Sequence, residues 1–191
     1  MLCTKITSVA LMAIFSTTSL AAAIPNTMDT ALIHQLDTRD WVSIDFQGKT
    51  IEYNPAAFNS SNENAEEVSP AKRDDKTDYC NDGSYSGTEA PWPVESDCAT
   101  LGDWVSRQST SYSVWGNTGD YHGLLRAGSC VFGAGSKNVL GAKIGSSDIS
   151  AAITESIKRL ANNGQVGASG EMGCENGFGT SAVFWKLQYI K

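Results

Sequence analysis

The order of apolar and polar positions divides this chain into three stretches. The first carries an unbroken apolar run, Val9-Ala10-Leu11-Met12-Ala13-Ile14-Phe15. The second has one alternating segment, Trp41-Val42-Ser43-Ile44-Asp45-Phe46, which reads as a strand able to form a local hairpin or to touch the following domain. It ends in a polar, acidic tract from Asn59 to Glu67 that has too little apolar surface to fold. The third, from Asp74 on, shows regular periodicity. Leu101, Trp104, Val105 and Gln108 recur at helical spacing behind Ser96 and Asp97, both good N-caps, so the pattern predicts a helix over 98–109. Strands are expected at 111–115, 121–125 and 130–132, with a turn at 116–120 and a break at Ala127-Gly128. A second helix starts at a Ser147 cap, with Asp148 in its first turn, and ends at Asn163-Gly164. Its apolar face is Ile149, Ile153, Ile157 and Leu160, and Glu155 and Arg159 form an i,i+4 pair. Strands over 165–171 and 182–190 complete the series. In the last, Val183, Trp185, Leu187 and Tyr189 alternate with Phe184, Lys186 and Gln188. The expected fold is α+β, with two helices covering one face of a mainly antiparallel sheet.

The first stretch has the layout of a signal peptide: Lys5 for the positive end, the apolar run, and a small-residue cleavage site at Ala21-Ala22-Ala23, cut after Ala23. Ser16 to Ser19 interrupt the run well short of the roughly 20 apolar residues a membrane span needs. Residues 24–73 then read as a partly disordered pro-segment. They end in Lys72-Arg73, a dibasic pair where polar chain meets the first downstream cysteine, so cleavage after Arg73 is expected to release 74–191 as the mature domain. Asn59-Ser60-Ser61 is a glycosylation acceptor inside the segment to be removed.

With Cys3 gone in the leader, four cysteines remain, Cys80, Cys98, Cys130 and Cys174. An even number in a small exported domain implies a disulfide framework. Spacing leaves three pairings open. The nested one, Cys80 with Cys174 and Cys98 with Cys130, is the expected arrangement and would contribute roughly 4.5 and 3.5 kcal/mol in the chain-entropy picture. From Asp74 on there are 13 Asp and Glu against 9 Lys and Arg, a net charge of −4. Without a basic run, nucleic acid and anionic lipid are poor partners.

Catalytic chemistry is weakly represented. The mature part has a single histidine, His122, in a strand pattern beside Tyr121, where packing explains it better than a nucleophile's base does. There is no Cys-x-x-Cys or paired-His metal spacing, and no cofactor is expected. Asp103, Asp120, Asp148, Glu155 and Glu171 are candidates for paired carboxylates of a hydrolase only in being present. Gly133-Ala134-Gly135-Ser136-Lys137 misses phosphate-loop spacing, and Gly164, Gly167 and Gly170 precede no helix, so turns and close backbone approach account for them. Trp104 and Trp185 sit in core patterns. Trp92, between two prolines, is the candidate for an exposed binding anchor, with a lid over a small core as the alternative.

An ordered set of short motifs carries a resemblance: Tyr79-Cys80, Asp97-Cys98-Ala99-Thr100-Leu101, Gly128-Ser129-Cys130-Val131-Phe132-Gly133, Ile144 to Ile149, Ser156-Ile157, Val166 to Cys174, and Val183-Phe184-Trp185. Together they resemble the fungal extracellular-protein-two (ECP-two) effector family, also called the necrosis-inducing-factor domain, over about 80–190. The chain departs from the family's usual pattern at Gly173, at Ser146-Ser147 and at Lys186. The resemblance implies a secreted fungal protein that acts at a host or competitor surface, sometimes inducing cell death. It implies no catalytic residues, and only the cysteines carry over. The expected function is a non-enzymatic effector that binds a host protein or cell-surface component. A secreted antimicrobial or killer-type toxin is the alternative, and a carboxylate hydrolase ranks last.

Overall fold

The structure is a computed structural model describing residues 40–57, 77–116 and 120–191. Ala23, Arg73, Asn59 and the acidic tract lie outside the described residues. Nine strands, two α-helices and a short 3-10 helix (Pro55–Ala57) occur among those described: β1 (Val42–Phe46), β2 (Lys49–Tyr53), β3 (Ser86–Gly87), α1 (Glu95–Ser106), β4 (Ser111–Val114), β5 (His122–Ala127), β6 (Cys130–Ser136), β7 (Ala142–Gly145), α2 (Ser146–Leu160), β8 (Ala168–Glu175) and β9 (Thr180–Tyr189). Seven strands form one antiparallel sheet in the order β1-β2-β5-β6-β9-β8-β3, and β4 pairs with β7 in a small second sheet. This is the expected α+β fold.

The core forms where β6 and β9 run side by side under the helices. Phe132 faces Leu187 in register, and the Phe132 and Trp185 rings stack at 6.2 Å. Both rings are fully buried, as are Leu101 and Val105 of α1 and Ile149 and Ile153 of α2. Cys98 on α1 is bonded to Cys130 on β6, so one helix is tied covalently to the central strands. Alternation along β9 puts Val183, Trp185 and Leu187 into this core.

Several boundaries differ from the pattern, each for a local reason. α1 starts at Glu95 rather than 98 because Val94 is its N-cap, and the Glu95 N–H is met by the Gly164 carbonyl at 2.9 Å. Asp97 therefore sits inside the first turn and is not the cap. α2 begins at Ser146 after Gly145, so Ser147 is not its cap; the Ser147 hydroxyl bonds Thr77 Oγ1 at 2.8 Å instead. β6 runs on through the glycines to Ser136. A side chain at Gly135 would come within 2.3 Å of the Asp120 carbonyl and 2.6 Å of the Phe184 ring, so close approach, not a loop, selects glycine there. β8 starts at Ala168 rather than 165, because Gln165 closes a turn with Asn162 and the Val166 N–H bonds the Pro93 carbonyl. The alternation at 41–46 does form a hairpin, and it extends the main sheet through β2 and β5.

Candidate functional site

The two edges of the main sheet hold the groups that position its exposed surfaces. On the β8 side, residues 79–88 lace the edge from end to end. The Asn81 N–H donates to the Gly173 carbonyl, Ser84 to Glu171 and Thr88 to Gly167, while Glu175 donates back to Tyr79. Cys80 and Cys174 form a bridge pair and a disulfide. Tyr85 packs edge-on against Trp185 at 5.3 Å, with the Arg159 guanidinium 4.7 Å over its ring. Burial raises the Tyr85 phenol, and Arg159 opposes that shift.

The N-terminus of α2 fastens this lacing. Asp148 is the third helical residue, and one carboxylate oxygen accepts both the Tyr79 N–H at 2.9 Å and the Gly145 N–H at 2.8 Å. Burial raises its pKa to about 6; these two donors act against the rise, and the Asp78 carboxyl, hydrogen-bonded to it, adds to it. Two carboxyls thus meet here, but Asp148 is already spent on backbone donors that shape the fold.

On the β5 side the hairpin supplies the cover. Ile51 is fully buried opposite Ala127, and Tyr53 stacks at 6.2 Å on Trp104. Asp97, the third residue of α1, is the hub. One oxygen accepts the Ser129 N–H at 2.9 Å and hydroxyl at 2.8 Å, and the other pairs with Lys49 Nζ at 3.1 Å. Burial acts to raise the Asp97 pKa, but the Ser129 donors and Lys49 outweigh it and hold the carboxyl below its usual range.

Other predicted residues separate. Trp92 is half-buried, its indole N–H bonded to the Thr88 carbonyl at 2.7 Å, and its ring covers Gly167 so closely that a Cβ there would lie 2.3 Å away. It is the lid rather than the free anchor. His122 lies against the Trp115 ring at 5.3 Å. Asp103 chelates the Arg107 guanidinium at 3.0 and 3.1 Å and accepts from Gln47, while Glu155 takes Arg159 at 2.8 Å. Lys186 is buried, with its ammonium 5.8 Å from the Tyr121 ring centre.

Sequence reasoning missed three exposed apolar side chains. Phe178 is 85 % exposed, Val139 71 % and Leu140 59 %. Because Ser136 pairs with Val183 and Glu175 with Thr180, the 137–141 loop and the 176–179 turn leave the sheet at the same end. Exposed apolar groups gathered at one end of a sheet are what a binding surface can offer. The only signal in the sequence was a phenylalanine between two glycines.

Among the described residues no three His, Cys, Asp or Glu side chains cluster to hold a metal, and no helix is long and apolar enough to cross a membrane. A family model described as pathogen effector, putative necrosis-inducing factor (Hce2) matches residues 79–174, half of the chain and all four bonded cysteines. No curated protein matches the chain.

Proposed function

Because the chain belongs to the Hce2 pathogen-effector family, we propose that it is a secreted fungal effector whose mature form, beginning at Asp74, binds a host protein or cell-surface component outside the cell and triggers local cell death. The observation that carries this reading is the family match across 79–174. Two structural facts support it. Both disulfides lie within the matched region, as suits an oxidising compartment. A stapled frame also presents Phe178, Val139 and Leu140 to solvent, exposed apolar side chains of the kind a partner engages. This reading is of a non-enzymatic role: the carboxyls of Asp78 and Asp148 meet, but Asp148 holds the backbone at the α2 N-terminus.

The test uses protein recovered from culture supernatant. Intact mass and N-terminal analysis should show a dominant species starting at Asp74 with no free thiol; one starting near Ile24 overturns the processing step. Infiltrated into leaf tissue, the native protein should cause local necrosis and the reduced, alkylated protein should not. Phe178→Ser should fold normally and lose activity. Absence of any response, together with growth inhibition of competing yeasts or bacteria, would replace the host-directed reading with a toxin.

A further inference from the structure

The hairpin on the β5 edge is part of the sheet by position but not by covalent attachment. β2 meets β5 at three register positions: Ile51 with Ala127, Glu52 with Arg126, and Tyr53 with Leu125. Neither disulfide reaches it, since both join cysteines from position 80 on. Its link to the rest of the protein is the stretch 58–76, which carries Lys72-Arg73. The family match starts at 79, so the hairpin lies outside it.

Each hairpin contact is also of a kind that a separate peptide could make. Main-chain donors run to the β5 edge, with the Asn54 N–H on the Leu124 carbonyl at 3.0 Å. Arg126 meets Glu52 at 3.4 Å, Trp104 receives the Tyr53 ring, and Asp97 takes Lys49. Ile51 is the buried aliphatic plug. Main-chain pairing for affinity, with alternate side chains in distinct sites for specificity, is the pattern of strand addition to a sheet edge.

We propose that residues 40–57 are a removable occupant of a strand-binding site on the outer edge of β5, and that cutting at Lys72-Arg73 frees this site for an extended segment of a target protein. The resident strand states the chemistry of that segment: a lysine, then an aliphatic residue, an acid and an aromatic at the spacing of Lys49, Ile51, Glu52 and Tyr53. That the target belongs to a host rests on the effector reading; the site itself does not. Until the cut, the edge is masked, both as a binding surface and as an aggregation-prone unpaired strand.

The test starts from the full chain, cut in vitro by a dibasic-specific protease. Its outcome is therefore independent of where the producing cell cuts and of any leaf response. Native mass spectrometry should show the hairpin fragment bound at high concentration and lost on dilution, with a dissociation constant of about micromolar order. An isotope-labelled peptide of residues 40–57 should exchange into the site. A peptide carrying only Lys-Thr-Ile-Glu-Tyr between unrelated flanks should compete with it, and its Ile→Glu version should compete at least about tenfold more weakly. Hydrogen exchange at Arg126 should speed up on release while Glu171 on β8 stays protected. A fragment that survives dilution to nanomolar concentration without exchanging would make the hairpin a permanent strand and overturn the proposal. So would a cut protein that unfolds or self-associates once the fragment leaves.

Discussion

The two outer edges of the main sheet are closed in opposite ways. On the β8 edge, chain from within the matched family region runs along the strand and is locked by Cys80–Cys174. On the β5 edge, a hairpin from outside that region covers the strand with three register pairs, one buried isoleucine and a lysine–aspartate contact. Each cover is pinned by an aspartate at the third position of a helix, Asp148 on one side and Asp97 on the other. The difference teaches how one fold can hold a permanent edge and a releasable one. A covalent bond limits the unfolded chain and survives any cut; packing and an ion pair depend on the tether that keeps their local concentration high.

The largest effect should come from the locked edge. Replacing both Cys80 and Cys174 by Ala should lower the unfolding free energy by about 4.5 kcal/mol, since the loop they close spans 94 residues. Denaturant titration of the oxidised parent and the double variant measures it. Ile51→Ala should cost about 2 kcal/mol, at the low end of core truncations, because the hairpin can undock instead of leaving a cavity. Hydrogen exchange should place that loss at β2 and β5 and leave β8 untouched. If Ile51→Ala costs more than losing Cys80–Cys174, the hairpin is the firmer edge and the comparison is reversed.

The two pinning aspartates should also separate by pH. Asp148 titrates near 6 when folded, above a free carboxyl, so its contribution is full below about pH 4 and is lost as pH rises through 6. Asp97 is held low, so its contribution is present above the ordinary carboxyl range and is lost as pH falls through its depressed value. Urea midpoints measured from pH 3 to 7 should show Asp148→Asn removing the decline between about 4 and 6. Asp97→Asn should instead flatten the acid side. Identical profiles for the two variants would mean that the helix termini, not these partners, set the titration.

Much of this architecture was legible in the chain. The periodicity of α2 and of β9 is strong because each packs one face against a single core, so Ile149, Ile153, Val183 and Trp185 announce themselves. The β4–β7 pair was half visible: β4 has an alternating pattern, but β7 is four residues ending at the α2 cap and leaves too short a signal. The strand expected to stop at Phe132 runs on to Ser136; close approach was expected of these glycines, but the neighbours that crowd Gly135, the Asp120 carbonyl and the Phe184 ring, are encoded in no local pattern. The same limit hid the site. Alternation at 41–46 marks a strand, but only the register of β2 on β5 shows what that strand covers. The roles of Asp97 and Asp148 were hidden likewise, since helix-start statistics favour both positions without revealing which chain each one holds.

The smallest effect should come from Lys49→Met, and it bears most directly on the releasable edge. The Lys49–Asp97 contact is 3.1 Å long and leaves the lysine side chain 39 % exposed, so solvent weakens it and its loss should cost about 0.5 kcal/mol in the intact chain. Part of even that is offset, because Asp97 keeps both Ser129 donors. Once the tether is cut, the same small energy acts on dissociation rather than on folding, and a cost of that size weakens fragment binding about twofold. The added thioether should not compensate, since Lys49 reaches the helix terminus and not the core. Raising salt from 50 to 500 mM should weaken binding of the parent fragment and leave Lys49→Met nearly unchanged. A salt response that survives the substitution would shift the electrostatic grip to Glu52 and Arg126, a second ion pair across this edge.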